Sequence, residues 1–340
     1  MDSLSQLVLG AAVGEAVLGR KLGNRAVFWG ALGGTIPDLD VLSAPFLSEL
    51  GELTFHRGIS HSLLFSVLFA LLLGWLIHRF NKTTSLVTRM EWQTMLFLAF
   101  FTHVILDCFT VYGTQVFAPF SDYRVSWGTV AVVDPLYTIP LLLSLAITLF
   151  IVRTKRTRRG VNYLGLALST MYLLFTVYNK SRVHNVFEKE LKAQNIEVAR
   201  MMTSPTIFNN ILWSCTAEAN DAYYVGLYSF YDTVPVKFVR IEKQHTLLNN
   251  IDSDYTISRL RWFSDNYFSI NNVDGKLLFN DLRFGAYLDK DGNKADYIFS
   301  FHLEEEDGVY EMIETIVGPP KGKEKEYIDA FFDRVWGANS

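Results

Sequence analysis

The run His61 to Arg79 (HSLLFSVLFALLLGWLIHR) holds no acidic residue and is long enough to cross a hydrocarbon layer, so the fold must satisfy a bilayer. Comparable apolar runs occupy 92–109, 131–152 and 161–178. Two shorter ones, 4–19 and 26–36, are rich in Gly and Ala and read as a hairpin of short helices packed closely on their neighbours. Each falls short of the ~20 residues a simple span needs. The apolarity is confined to one half of the chain: residues 1–179 carry 13 Lys+Arg and 10 Asp+Glu, and the remainder carries 18 and 25. The pattern predicts a multi-pass α-helical membrane domain over 1–180, followed over 181–340 by a soluble α+β domain with a mostly antiparallel sheet.

The loops 20–25, 79–89 and 153–159 hold most of the Lys and Arg of the first half, which assigns them to the cytoplasm. Alternation of four spans then predicts an extracytoplasmic position for 181–340. The N-terminus lacks the charged, apolar and small-residue sequence of a cleaved signal, so insertion is expected to be driven by the internal segments. Cys108 and Cys215 are read as free thiols. In the second domain, 181–202 reads as an amphipathic helix. Strands are expected at 222–231, 236–242, 257–263, 276–288 and 297–304, with turns at Asp274-Gly275 and 289–292, and 324–336 as a last helix.

Polar residues inside such a half are costly and therefore informative. Asp38 and Asp40 follow Pro37, His56 and His61 flank Arg57-Gly58, and His103-x-x-x-Asp107 sets an imidazole and a carboxylate on one helix face. All fall toward the outer leaflet under the orientation above. Nitrogen and oxygen donors of this kind suit a divalent metal, Zn²⁺ first and Mn²⁺ or Fe²⁺ next. One of the two alternating carboxylates, Asp40, is assigned as a ligand with His56, His61, His103 and Asp107. A free carboxylate, Glu15 or Asp38, would take a proton from water, and Arg57 would hold an anionic part of the substrate. The plainer account is a His103–Asp107 pair locking two helices, with Asp38 and Asp40 as turn and capping groups.

The opening MDSLSQLVLGAAVGEAVLG, with IPDLD, HRGISHS and HVILD in that order, resembles the YdjM-like family of bacterial inner-membrane, membrane-bound metal-dependent hydrolases over roughly residues 1–180. That resemblance implies a multi-pass helical protein of the inner membrane with its site at Asp38, Asp40, His56, His61, His103 and Asp107. Many such proteins have a histidine near the start, where this chain has Gln6. The motif order is also similar to part of the zinc-dependent phospholipase C and P1 nuclease superfamily, whose further His-x-x-x-His and His-x-x-x-Glu pattern is not matched here. The resulting expectation is hydrolysis of a phosphoester or lipid-like substrate at the outer leaflet, with membrane lipids as partners. Two alternatives stand beside it. One is a transporter or proton or metal relay using the intramembrane His and Asp residues, and the other a non-catalytic scaffold with a structural metal. Nucleic acid is not an expected partner, because the basic residues flank spans and the polar domain is acidic. No oligomeric state follows from the pattern.

Overall fold

In the computed structural model the described residues are 1–80, 86–248, 253–288, 295–318, 322 and 324–337. The expected turn at 289–292 and Lys82 of the basic loop lie outside them. The chain forms two compact units, one of Met1–Pro45 with Phe55–Val177 and the other of Phe46–Thr54 with Tyr178–Ser340.

The first unit is helical. It contains α1 (Ser3–Leu22), α2 (Asn24–Thr35), α4 (Leu63–Phe80), α5 (Arg89–Cys108), α6 (Pro135–Phe150) and the first part of α7 (Arg156–Ala193), while α3 (Glu49–Phe55) falls almost wholly in the second unit. The glycines of α1 and α2 explain their pairing. A Cβ at Gly10 would lie 2.6 Å from the Cα of Gly34, and one at Gly30 would lie 2.7 Å from the Cα of Gly14. Backbones at this separation admit no side chain between them. Asp2 caps α1 by accepting from the Ser5 amide at 3.0 Å, and Thr88 with Glu91 forms a capping box at the start of α5.

Among the described residues, α4 and α7 are the two helices long and apolar enough to cross a membrane. α4 buries Ser66, Ala70, Gly74 and Ile77 along one stripe and exposes Leu68, Leu71, Leu72 and Trp75. An apolar face of that size left uncovered belongs against lipid or a partner. The other two expected spans differ from that reading. α5 is 20 residues long, but it carries Arg89, Glu91, Gln93, His103 and Asp107 and buries Trp92, Met95, Leu96, Ala99 and Phe100 within the unit. α6 has 16 residues, because Asp134 caps it at the start and Ile151 turns extended at its end. Its exposed Ile139, Leu143 and Ile147 still form an apolar face.

The second unit holds two antiparallel four-stranded sheets, each a simple meander. One comprises β1 (Arg200–Pro205), β2 (Leu212–Glu218), β3 (Ala222–Ser229) and β4 (Phe238–Glu242). The other comprises β5 (Phe268–Val273), β6 (Lys276–Leu288), β7 (Ala295–Glu306) and β8 (Val309–Val317). The amphipathic stretch at 181–202 is helical as far as Ala193 and packs Val183, Phe187 and Leu191 on Trp213, Cys215 and Ala217. Residues 257–263 are not a strand but the body of α8 (Tyr255–Phe263). Asp254 caps this helix by accepting from the Ile257 amide, and Ile257, Leu260 and Phe263 recur every third residue on its buried side. Helical spacing and a cap outweigh the β-branched and aromatic content there. α9 (Glu324–Val335) closes the chain, and both cysteines are free and buried.

Candidate metal centre

Four ligand atoms, from Asp38, His61, His103 and Asp107, lie within 4.8 Å of one another in the first unit. α5 supplies the last two, one turn apart. His61 comes from a short 3₁₀ turn (Ile59–His61) immediately before α4, and Asp38 from another (Pro37–Phe46) that follows α2. Because Ile36 leaves α2 directly into Pro37, the backbone tightens there and points Asp38 and Asp40 to different neighbours.

The imidazoles are held from behind. His103 Nδ1 donates to the Gly34 carbonyl at 2.7 Å, and a carbonyl can only accept. Ser60 Oγ donates to Asp40 Oδ2 at 3.0 Å and therefore accepts from His61 Nδ1 at 2.9 Å. In the neutral rings both Nε2 atoms are then bare, and they face each other at 3.1 Å. His61 Nε2 also lies 3.3 Å from Asp38 Oδ1 and 3.3 Å from Asp107 Oδ2. His103 Nε2 lies 3.4 and 3.5 Å from the same two oxygens. Donors bound at about 2.1 Å to a tetrahedral ion sit ~3.4 Å apart, so these five separations match five of the six edges of one coordination tetrahedron. Two lone pairs and two carboxylates converging without a proton between them repel, and a divalent cation removes that repulsion.

Asp107 shows the same division of labour within one side chain. Its Oδ1 accepts from Gln6 Nε2 at 3.0 Å, from the Met1 amino group, and faces Arg57 Nη2 at 3.4 Å. Its buried Oδ2 has no hydrogen-bond donor and is the atom turned to the cluster. Asp38 is the most accessible member, its side chain 20% exposed where the other three are 0–1%. Burial pushes the Asp40 carboxyl up, but hydrogen bonds from His56 and the Arg57 amide outweigh it and bring the group below its usual value.

The roles of the individual residues differ from the sequence expectation in four places. Asp38 and Asp40 exchange parts. Asp38 joins the four donors, while Asp40 binds His56 Nδ1 at 3.0 Å, the Arg57 amide at 3.0 Å and Ser60, and so orients rather than ligates. His56 stands outside the four-donor group, half-buried on Asp40 and edge-on to Tyr112. Glu15 is remote: it lies nine residues beyond Gln6 on α1, ~13 Å along the axis. There it makes a bidentate pair with Arg158, both bonds 2.7 Å. Arg57 is buried, with Nη1 donating to Thr110 Oγ1 at 2.9 Å, Nη2 beside Asp107 and Nε without a partner. Ser62, not Ser60, caps the helix that follows, accepting from the Phe65 amide. Gln6, Gly34 and Ser60 were not foreseen as positioning groups. A lone amide in the apolar opening run was the available signal for Gln6.

A curated protein of Bacillus subtilis (strain 168), the uncharacterized protein YfhP, is 26% identical over 239 residues, which cover 66% of this chain and 68% of that protein. No solved structure matches. Residues 1–183, which contain the whole four-donor cluster and the helices that position it, match the model of the YdjM inner membrane protein family, and the chain belongs to that family.

Proposed function

We propose that the protein is a multi-pass inner-membrane hydrolase that uses a divalent metal, Zn²⁺ before Mn²⁺ or Fe²⁺, on a phosphoester or lipid-like substrate at the outer leaflet. The observation that supports this reading is the tetrahedral spacing of His61 Nε2, His103 Nε2, Asp38 Oδ1 and Asp107 Oδ2. A cation held by these four would supply Lewis acidity to a scissile phosphoryl or carbonyl oxygen and ease proton loss from water.

The chain's own residues divide the remaining work. Asp38, on the accessible side, is the ligand best placed to yield a position to substrate. His56, with Nδ1 donating to Asp40, keeps its Nε2 available to take a proton and is partly open to solvent. Arg57 offers its unpartnered Nε to an anionic oxygen while its terminal nitrogens stay on Thr110 and Asp107. Asp40 and Ser60 keep His61 in the tautomer that leaves Nε2 bare.

A second reading has its own support. Four protein donors with no built-in open position are what a structural metal uses, and the metal would then pin α2, α5 and the turn before α4 together. A transmembrane relay is less favoured, since α1 between Gln6 and Glu15 presents buried Val8, Leu9, Ala11, Ala12 and Val13 rather than a polar path.

Elemental analysis of detergent-solubilised protein tests the metal, and a phosphoester and lipid hydrolysis screen tests the chemistry. Wild type should hold about one equivalent, lost in His103→Ala and Asp107→Ala. Turnover abolished in His56→Gln with metal retained supports the hydrolase. Metal without any turnover leaves the structural reading, and no metal after reconstitution with Zn²⁺ or Mn²⁺ removes both.

A further inference from the structure

At the opposite end of α1 from the metal centre, the turn at Gly23 meets the connection between α6 and α7 in a cleft of about 450 Å³. Its lining includes Asn24, Arg25, Ile151, Arg153 and Arg158. The surrounding segments 20–25 and 153–159 carry eight Lys and Arg residues and no acid, and no acidic residue occurs between Asp134 and Glu188.

The few nearby acids are already committed. Glu15 is consumed by Arg158, and Glu91 takes Lys21 at 2.6 Å. Arg158 is saturated, since Nη1 donates to Asn24 Oδ1 and to the Ile151 carbonyl while Nε and Nη2 hold Glu15. Arg25 and Arg153 are exposed and make no ion pair among the described residues, although Arg153 Nη1 rests on the Lys21 carbonyl at 2.7 Å. This shallow cleft therefore presents two exposed guanidinium groups with no ion-pair partner among the described residues. Guanidinium forks match phosphate oxygens.

Directly beside these charges the surface turns apolar. Leu149 and Phe150 are lining residues, with Phe150 91% exposed, and Val152 next to them is also exposed. A free phosphate would use only the charged half. A molecule with a phosphate at one end and a hydrocarbon chain at the other uses both.

We propose that this cleft binds an anionic phospholipid, with Arg25 and Arg153 on the head-group phosphate and an acyl chain along Leu149 and Phe150. The assignment rests on membership of an inner-membrane family and is independent of hydrolysis at the metal centre.

The test uses the full-length chain in nanodiscs of phosphatidylcholine containing a minor fraction of phosphatidylglycerol, with retained lipid counted by native mass spectrometry. Wild type should keep phosphatidylglycerol in preference to phosphatidylcholine. The double variant Arg25→Gln/Arg153→Gln should lose it by roughly fivefold per residue, about twenty-five-fold together. Both positions are exposed, so the fold should persist. Arg79→Gln/Arg89→Gln removes the same charge elsewhere and should retain the lipid; equal loss in the two double variants would reduce the effect to surface potential and overturn the site. Phosphatidylglycerol that stays bound in millimolar inorganic phosphate supports the lipid, whereas full displacement would assign the cleft to a soluble phosphate and overturn it.

Discussion

Among the described residues of the first unit two buried charged constellations stand out, and they behave in opposite ways. Glu15 and Arg158 close on each other: both carboxylate oxygens are taken, and all three guanidinium nitrogens have partners. The Asp38, His61, His103 and Asp107 group leaves Asp107 Oδ2 without a donor and sets two bare imidazole nitrogens 3.1 Å apart. Burial of charge is common to both, so burial alone does not mark a site. The difference is saturation. A buried pair that satisfies itself is structural glue, and a buried group that does not marks a candidate ligand site.

The largest effect expected from this contrast is at Glu15. Glu15→Ala strands the buried Arg158 and should cost about 3–5 kcal/mol, read as a fall in the unfolding midpoint of detergent-solubilised protein. Glu15→Met/Arg158→Met should recover most of that loss, because replacing both partners leaves no lone charge. If the double variant stays as unstable as the single, the pair is more than glue and the contrast fails.

Metal-free protein should respond in the other direction at the second constellation. Asp38→Asn removes one of two crowded carboxylates without stranding a cation, so its apo form should unfold no lower than wild type while its metal content falls. Asp40→Ala sharpens the point, since Asp40 touches the cluster only through His61, His56 and the 56–60 loop. It should weaken metal affinity by about 10–100-fold, measured by chelator competition.

Next in size is Gly30→Val. It inserts a side chain where α1 and α2 meet backbone to backbone and should cost about 1–3 kcal/mol. Because Gly34, one turn on, orients His103, metal affinity should fall with stability. Stability lost with affinity unchanged would separate the hairpin from the site.

The smallest effect belongs to the half-exposed cluster of Glu218 with Arg200 and Lys243 in the second unit. Burial raises the Glu218 carboxyl, but hydrogen bonds from Lys243 and Arg200 outweigh it and hold the group below its usual 4.5. The folded form thus binds its proton less readily than the unfolded one. The stabilisation is complete above that value and disappears as the pH falls through the lowered one. Glu218→Gln should flatten the acid limb of thermal stability by no more than about 1 kcal/mol.

Legibility in the sequence followed the range of the interactions. α4, the His-x-x-x-Asp face of α5 and the Asp134 cap are set by residues within a few positions, and each can be read from spacing. The exchange of Asp38 for Asp40 could not be read, because it depends on a 3₁₀ turn after Pro37 and on a loop closed by Ser60, His56 and the Arg57 amide. Arg57 itself adopts a positive φ there, which its residue type does not announce. Glu15 was legible as a buried carboxylate but not as a paired one, since its partner is 143 residues away. Likewise 92–109 was apolar enough to suggest lipid contact, and the enclosure of α5 became visible only with α1, α2 and α4 around it.

That separation of 143 residues also has a timescale. At ~5–20 residues per second, Arg158 is synthesised roughly 7–30 s after Glu15. Throughout that interval the Glu15 carboxylate is without the partner that satisfies both of its oxygens in the folded chain. α1 is therefore not locked at Glu15 until α2 to α6 have been made, and any quality-control step that senses an unpaired charge has that whole interval in which to act.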